Sequence, residues 1–168
     1  MLRIVIIPVF VTAVIYGRHQ YALYLFVFAA LTDMLDGLFA RLTNQKTPLG
    51  TFLDPLADKF LLVTSFILFA AYGWIPTWLA IAVISRDLIV VIGWFLLYMI
   101  THNSKVEPVI LGKTAIAMQL VTLAYVLLAL NMTSLPPVPK PFLLLTAGVT
   151  CISGLQYIYK GFTMTHAF

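Results

Sequence analysis

The sequence predicts an all-α, polytopic membrane protein with six transmembrane helices, and three observations support this fold class. Hydrophobic residues occupy 62% of the 168 positions, whereas charged residues occupy only 10%. Apolar runs that approach or exceed the roughly 18 to 20 residues needed to cross a bilayer recur along nearly the whole chain. Short polar connectors separate these runs. We therefore expect a single membrane domain over residues 1–168, with little chain left for a soluble domain.

Six apolar runs are the predicted membrane spans, and the first of them is unusually short. The spans cover residues 2–16, 21–40, 52–72, 78–100, 109–130 and 142–159. The first could also be the apolar core of a signal peptide, but it lacks a small-x-small cleavage site, and the next span follows almost at once. We expect it to be a helix whose front end precedes Met1.

The basic residues are better explained by membrane topology than by nucleic-acid binding. The formal net charge is +4, but the basic residues are scattered between apolar runs rather than massed in a stripe. If the N-terminus is cytoplasmic, the residues on the cytoplasmic side are Arg3, Arg41, Lys46, Lys105, Lys113 and Lys160, and those on the opposite side are Arg18 and Lys140. The positive-inside rule therefore favours cytoplasmic N- and C-termini.

Four of the six acidic residues lie in the stretch DMLDGLFARLTNQKTPLGTFLDPLADK. Asp33 and Asp36 are three residues apart, and Asp54 and Asp58 are four apart, so each pair shares one helix face. If the two faces turn inward, four carboxylates converge. Two like charges about 4 Å apart repel by about 4 kcal/mol at an effective dielectric constant of about 20, so the cluster must hold protons or cations. Oxygen ligands favour Mg²⁺, Mn²⁺ or Ca²⁺, and two such ions would neutralise four carboxylates.

Small residues and one arginine accompany the acids. Gly37 follows the second acid, and Ala40 lies four residues after it, so this helix face is small beside the predicted metals. Gly50 lies four residues before the third acid and would have the same effect on the next helix. Arg41 adds a planar donor group suited to phosphate oxygens. A bulky phosphorylated substrate could therefore approach the backbone here.

Each of these residues also has a purely structural interpretation. Asp54 followed by Pro55 could be a helix N-cap with proline at the first helical position, and glycines in membrane spans often serve helix packing. The joint pattern favours function, because carboxylates at membrane depth are costly. A cation- or proton-handling membrane protein is the alternative from a non-enzymatic class.

The same stretch resembles the signature motif of the CDP-alcohol phosphatidyltransferases. Every fixed position of that motif is present at its spacing: Asp33, Asp36, Gly37, Ala40, Arg41, Gly50, Asp54 and Asp58. The resemblance also covers the six-span layout and most of the chain. It implies an integral membrane enzyme, commonly a homodimer, which we expect in a bacterial inner (cytoplasmic) membrane with its active site facing the cytoplasm.

The resemblance also implies roles for the motif residues. It makes the four aspartates ligands of a two-metal centre, usually Mg²⁺ or Mn²⁺, with Asp58 also the general base. It places Gly37, Ala40, Arg41 and Gly50 in the CDP-binding pocket. The implied reaction is attack by an alcohol on the lipid-side phosphorus of CDP-diacylglycerol, with release of CMP.

Two basic residues outside the motif are candidates for binding a phosphate on the acceptor. Arg86 lies well inside the fourth span, where a cation is expensive unless it meets an anion, and an ion pair with Asp87 is the structural alternative. Lys113 begins the fifth span and could simply set topology. In relatives that make phosphatidylglycerophosphate, basic residues at similar places bind glycerol 3-phosphate, and the stretch from Lys113 to Gln119 resembles theirs. Glycerol 3-phosphate is therefore the expected acceptor.

Three departures from the family pattern leave the acceptor and the N-terminal region open. The tripeptide Ser85-Arg86-Asp87 looks at least as much like the cardiolipin synthases of the family, whose acceptor is phosphatidylglycerol. Ile116 stands where relatives often have threonine. Relatives usually have an amphipathic lead-in before the arginine that Arg3 matches, and here Met1 comes too late for it.

Overall fold

The structure, a computed structural model, describes residues 2–43, 48–101, 110–132 and 134–165, and the side chains of 5–32, 59–93, 111–132 and 134–159. Within these ranges it contains six α-helices and no strand. The helices are α1 (Leu2–Ile15), α2 (His19–Thr43), α3 (Pro48–Ala71), α4 (Thr77–Thr101), α5 (Ile110–Asn131) and α6 (Lys140–Thr165). The predicted all-α fold is confirmed, and each helix overlaps one of the predicted apolar runs.

The helices differ most from the predicted spans at their polar ends. The α2 helix continues past residue 40 to Thr43, and α3 begins at Pro48 rather than at residue 52. Likewise α6 continues past residue 159 to Thr165. Hydropathy marks where a helix becomes polar, whereas backbone hydrogen bonding decides where it ends, and proline is well suited to the first helical position. The acidic stretch is therefore largely helical.

Two of the helices are long and apolar enough to cross a membrane when only the described residues are considered. These segments are Leu111–Asn131 in α5 and Lys140–Tyr159 in α6. Val5–Ile15 and Lys59–Ala71 are shorter apolar helices. The six transmembrane helices expected from the sequence are thus confirmed as helices, and six membrane crossings remain a prediction.

The chain groups into two compact units. One takes the chain through Phe69 together with Leu123–Pro137, and the other takes Ala70–Thr122 and the residues from Val138 onward. The first unit therefore contains α1, α2, most of α3 and the end of α5. The second contains α4, the first part of α5 and α6. The single domain expected over residues 1–168 stays a prediction.

In the first unit α1 packs against α2. Phe10 and Phe26 meet with their ring centroids 6.4 Å apart, and both side chains are buried. Around them the two helices bury apolar residues at helical spacing, namely Ile6, Ala13 and Val14 on α1 and Ala22 and Ala29 on α2. This packing supports the helix that carries the first two aspartates of the motif.

Glycines end α1 and α3 in the left-handed conformation. Gly17 has φ +68° and Gly73 has φ +73°. At the end of α1 the Gly17 amide donates to the Val14 carbonyl at 3.0 Å, and the Arg18 amide donates to the Ala13 carbonyl at 2.9 Å. This pair of bonds is the Schellman motif, which satisfies the last helical carbonyls and requires a residue that tolerates positive φ.

Replacing the glycine at the end of α1 should destabilise the protein through backbone strain alone. We expect Gly17→Ala to lower the free energy of unfolding by about 1–2 kcal/mol, because an L-residue strains in the left-handed region even where space is open. Gly148→Ala is the matched control, because Gly148 is inside α6 and none of the described residues lies within 4 Å of an added Cβ. Thermal unfolding in detergent measures both, and equal midpoints for the two variants would contradict the assignment.

Candidate active site

The four motif aspartates lie on continuous helices of the first unit. Asp33 and Asp36 are within α2, and Asp54 and Asp58 are within α3. Because both segments are α-helical, each pair shares one side of its helix, as the spacing predicts. The side chains themselves lie outside the described ranges, so the convergence of the four carboxylates on one pocket stays a prediction.

The helical register also bears on the structural alternative for Asp54. The α3 helix begins at Pro48, six residues before Asp54, so Asp54 is inside the helix and is not its N-cap. An acid within an apolar helix has no capping role to explain it. The N-cap alternative for Asp54 is therefore wrong, and its role as a metal ligand stays a prediction.

The motif residues predicted to bind CDP lie on the same two helices. Gly37, Ala40 and Arg41 are in α2, and Gly50 is in the first turn of α3. Ala40 is one helical turn after Asp36, so the smallest side chains share the carboxylate faces of their helices. Contacts of these four side chains with a nucleotide remain predicted.

A separate polar cluster in the second unit surrounds Arg86. This side chain is buried, with only 4% of its surface exposed. Its Nη1 donates to Asp87 Oδ1 at 2.6 Å, and its Nη2 donates to Ser153 Oγ at 3.0 Å. The ring centroid of Tyr157 lies 5.6 Å from Cζ, which is a cation–π distance. The Arg86–Asp87 ion pair considered as an alternative is therefore present.

One nitrogen of Arg86 has no hydrogen-bond partner within the described part of the chain. This nitrogen is the buried Nε. A guanidinium has five N–H donors, so pairing with Asp87 and Ser153 leaves capacity for a further acceptor. The ion pair and a substrate-binding role for Arg86 are thus compatible.

The helical turn that carries Lys113 touches this cluster. Lys113 is exposed in the first turns of α5, next to the buried Gly112. A Cβ added to Gly112 would lie 3.2 Å from Arg86 Nη2 and 3.0 Å from both Cε2 and Oη of Tyr157. The backbone next to Lys113 therefore lies close to Arg86, and the role of the two residues in acceptor binding stays a prediction.

A buried polar stripe on α6 faces the middle of α5. Gln119 Nε2 donates to Thr150 Oγ1 at 3.2 Å, and the hydroxyls of Thr122 and Thr146 are 3.3 Å apart. All four side chains are fully buried, and Gln119 Oε1 has no partner among the residues whose side chains are described. Ser153, which accepts the hydrogen bond from Arg86, continues this stripe along α6.

Sequence reasoning did not select the residues of α6 that surround Arg86. The available signal was their spacing: the polar residues Thr146, Thr150, Ser153 and Tyr157 follow one another at intervals of four, three and four in an otherwise apolar helix. Such intervals place them on one helix face. That face is the one that packs against α4 and α5.

Among the side chains that the structure describes, no group of three or more His, Cys, Asp or Glu residues could hold a metal ion. The side chains of the four motif aspartates lie outside the described ranges, so their role as metal ligands stays a prediction.

Comparison with known proteins identifies the family. The family model for CDP-alcohol phosphatidyltransferase matches residues 1–153. The chain is 31% identical to a CDP-diacylglycerol–glycerol-3-phosphate 3-phosphatidyltransferase of Bacillus subtilis, across 94% of this chain and 90% of the relative. It is 30% identical to a protein of the same name from Aquifex aeolicus, across 96% of this chain and 92% of the relative. A putative cardiolipin synthase of Mycobacterium tuberculosis is 35% identical over a shorter region, 52% of this chain and 42% of the relative.

These matches decide between the two classes of function that the carboxylate pattern left open. The family model covers the whole acidic stretch, and its members are transferases rather than cation or proton carriers. The chain therefore belongs to the CDP-alcohol phosphatidyltransferase family, a family of membrane enzymes that use divalent metal ions, and is an enzyme of phospholipid biosynthesis.

Proposed function

We propose that this enzyme transfers the phosphatidyl group of CDP-diacylglycerol to glycerol 3-phosphate and releases CMP. The single observation that carries the proposal is the similarity, across 94% and 96% of the chain, to two bacterial proteins named for this reaction. The arrangement of Arg86 and Lys113 supports it, because a small acceptor with a phosphate needs cationic donors.

The residues of the motif fit a pair of divalent cations. Asp33, Asp36, Asp54 and Asp58 are all hard oxygen donors at helical spacing, and this donor set suits Mg²⁺ or Mn²⁺ rather than a soft metal. We assign these four aspartates as the metal ligands. When bound, the ions supply charge neutralisation for the diphosphate and for the departing CMP.

The remaining chemistry is assigned to the chain's own side chains. Asp58 accepts the proton of the acceptor hydroxyl while the hydroxyl oxygen attacks the lipid-side phosphorus. The bond from that phosphorus to the CMP oxygen breaks. Arg41 donates hydrogen bonds to the diphosphate oxygens. Gly37, Ala40 and Gly50 leave room for the nucleotide beside the helix backbones.

The acceptor phosphate is assigned to Arg86 and Lys113. Arg86 is held by Asp87, and its buried Nε–H has no hydrogen-bond partner among the described groups. Lys113 is exposed and directly follows Gly112, whose backbone lies close to Arg86. Because Asp87 already neutralises much of the Arg86 charge, we assign the larger share of acceptor attraction to Lys113.

The membrane arrangement belongs to the same proposal. We propose six membrane-crossing helices in a bacterial inner membrane, with both termini and the active site on the cytoplasmic side, and a homodimer as the assembly. Large apolar side chains that face outward support membrane insertion: Ile81 is 62% exposed, Leu144 63% and Leu155 66%. In water such a surface would be unfavourable.

Cardiolipin synthesis is the second candidate function. The partial similarity to a putative cardiolipin synthase and the tripeptide Ser85-Arg86-Asp87 favour it. Its acceptor, phosphatidylglycerol, also carries a phosphate, so Arg86 and Lys113 suit both acceptors. The shorter coverage of this relative makes it the weaker candidate.

The choice of acceptor can be tested directly by following CMP release. Purified protein in detergent should release CMP from CDP-diacylglycerol and Mg²⁺ when glycerol 3-phosphate is added, and should not when phosphatidylglycerol is added instead. Release with phosphatidylglycerol alone would establish the second candidate. No release with either acceptor would contradict both.

Loss of the proposed general base should stop turnover without unfolding the protein. We expect Asp58→Asn to reduce kcat at least about 100-fold, because a positioned general base contributes roughly 10²–10⁴-fold and the same carboxylate is a proposed metal ligand. Glu107→Gln, which changes an acid outside the motif to its amide, is the control and should keep wild-type activity. Circular dichroism verifies folding, and normal turnover by Asp58→Asn would refute the role.

Removing the accessible cation should weaken acceptor binding. We expect Lys113→Gln to raise the KM for glycerol 3-phosphate about 10-fold or more, because a charged hydrogen bond contributes about 1.5–3 kcal/mol. The KM for CDP-diacylglycerol should not change. Lys140→Gln, another exposed lysine in the first turn of a helix, is the matched control. Equal KM values in the two variants would return Lys113 to a topological role.

A further inference from the structure

The backbone of Gly112 fits closely against two side chains of the Arg86 cluster. An added Cβ would meet the Tyr157 ring carbon Cε2 and the Tyr157 hydroxyl at 3.0 Å, and Arg86 Nη2 at 3.2 Å. Ordinary contacts between such atoms lie at about 3.5–4.0 Å. A methyl group at this position therefore requires both side chains to give way by a few tenths of an ångström.

Arg86 has little freedom to move away. Its Nη2 is bonded to Ser153 and its Nη1 to Asp87. On the side of α6, a Cβ added to Gly154 would already lie 3.3 Å from Arg86 Cγ, so the aliphatic part of the side chain is enclosed as well. Displacing Nη2 from Gly112 therefore disturbs a guanidinium that is hydrogen-bonded through both Nη1 and Nη2.

Helix propensity gives no reason for a glycine here. Gly112 lies in the first turn of α5, and its φ is not in the left-handed region. Alanine is the better helix former at such a position. A substitution to alanine should thus leave the helix intact and disturb the contact with Arg86, so a positioning role and a structural role predict different results.

We propose that Gly112 is a positioning residue for acceptor binding. Its missing side chain lets the first turn of α5 close on Tyr157 and Arg86, which fixes the guanidinium next to the turn that carries Lys113. This inference rests on the proposed function, in which Arg86 and Lys113 bind the acceptor phosphate. Gly112 itself touches no substrate and acts through Arg86.

The test is the kinetics of Gly112→Ala with glycerol 3-phosphate as the varied substrate. We expect the KM for glycerol 3-phosphate to rise at least about 5-fold, with the KM for CDP-diacylglycerol unchanged and the thermal unfolding midpoint not lowered. Glycerol 3-phosphate should also raise the unfolding midpoint of this variant less than that of the wild type. The matched controls are Gly93→Ala in α4 and Gly148→Ala in α6, where no described residue lies within 4 Å of an added Cβ.

A second comparison shows whether the effect passes through Arg86. The double variant Arg86→Ala/Asp87→Ala removes both charges and so leaves no unpaired buried ion. In that background Gly112→Ala should have no further effect on the KM for glycerol 3-phosphate, since the group it displaces is absent. A full additional increase would overturn the inference.

The remaining outcomes separate this inference from the proposed function. If Arg86→Ala/Asp87→Ala raises the KM for glycerol 3-phosphate while Gly112→Ala does not, the positioning role is wrong and the acceptor site stands. A lower unfolding midpoint in Gly112→Ala alone would make the glycine structural and likewise refute the positioning role. If the double variant keeps the wild-type KM for glycerol 3-phosphate, Arg86 does not bind the acceptor. The acceptor role of Arg86 and the positioning role of Gly112 are then both wrong.

Discussion

The ion pair between Arg86 and Asp87 is the interaction on which the polar part of the second unit depends. Both side chains are buried in a chain with 62% hydrophobic residues. Moving an ion out of water costs several kcal/mol even after relaxation, and a pair offsets this only when the remaining donors also find partners. Ser153 and Tyr157 on α6 supply such partners to the guanidinium. The ion pair therefore accounts for polar residues on α6 that would otherwise have no place in an apolar helix.

This dependence also shapes the proposed acceptor site. A guanidinium that is fully neutralised and enclosed would have little attraction for an incoming phosphate. Arg86 is itself enclosed and paired with Asp87, but its Nε–H has no hydrogen-bond partner within the described part of the chain, and the neighbouring turn of α5 carries an exposed lysine. In the proposed function, the planar guanidinium of Arg86 orients the acceptor phosphate, and the ammonium of Lys113 supplies the net positive charge that attracts it. The two residues are then complementary rather than redundant.

Local patterns predicted the helices and the motif, because both are encoded over short distances. Apolar runs predicted all six helices, and the intervals between Asp33 and Asp36 and between Asp54 and Asp58 predicted shared helix faces. The same local signals misplaced the helix ends, since hydropathy does not record where backbone hydrogen bonding stops. They also left an N-cap at Asp54 open, which a start at Pro48 excludes.

The surroundings of Arg86 could be predicted only in part, for a physical reason. Asp87 is its neighbour in sequence, so the ion pair was a foreseeable alternative. Ser153 is 67 residues away, and it meets Arg86 only because α4 packs on α6. The close approach of Gly112 is equally a result of packing, and no spacing rule within α5 indicates it. Contacts of this kind depend on which helices pack together, and helix packing could not be predicted from this single sequence.

The motif is encoded by short sequence intervals, whereas the surroundings of Arg86 are set by helix packing. This difference suggests how members of one family can share a reaction and differ in acceptor. The proposed metal ligands and general base lie within 26 positions of one another, from Asp33 to Asp58, on consecutive helices with fixed intervals. The proposed acceptor residues lie on α4 and α5 and are positioned by α6, so their environment can change through packing residues that carry no chemistry. A substitution such as one at Gly112 would shift a cationic donor without altering any motif aspartate. Acceptor preference would then vary through helix contacts while the phosphoryl-transfer residues stay constant.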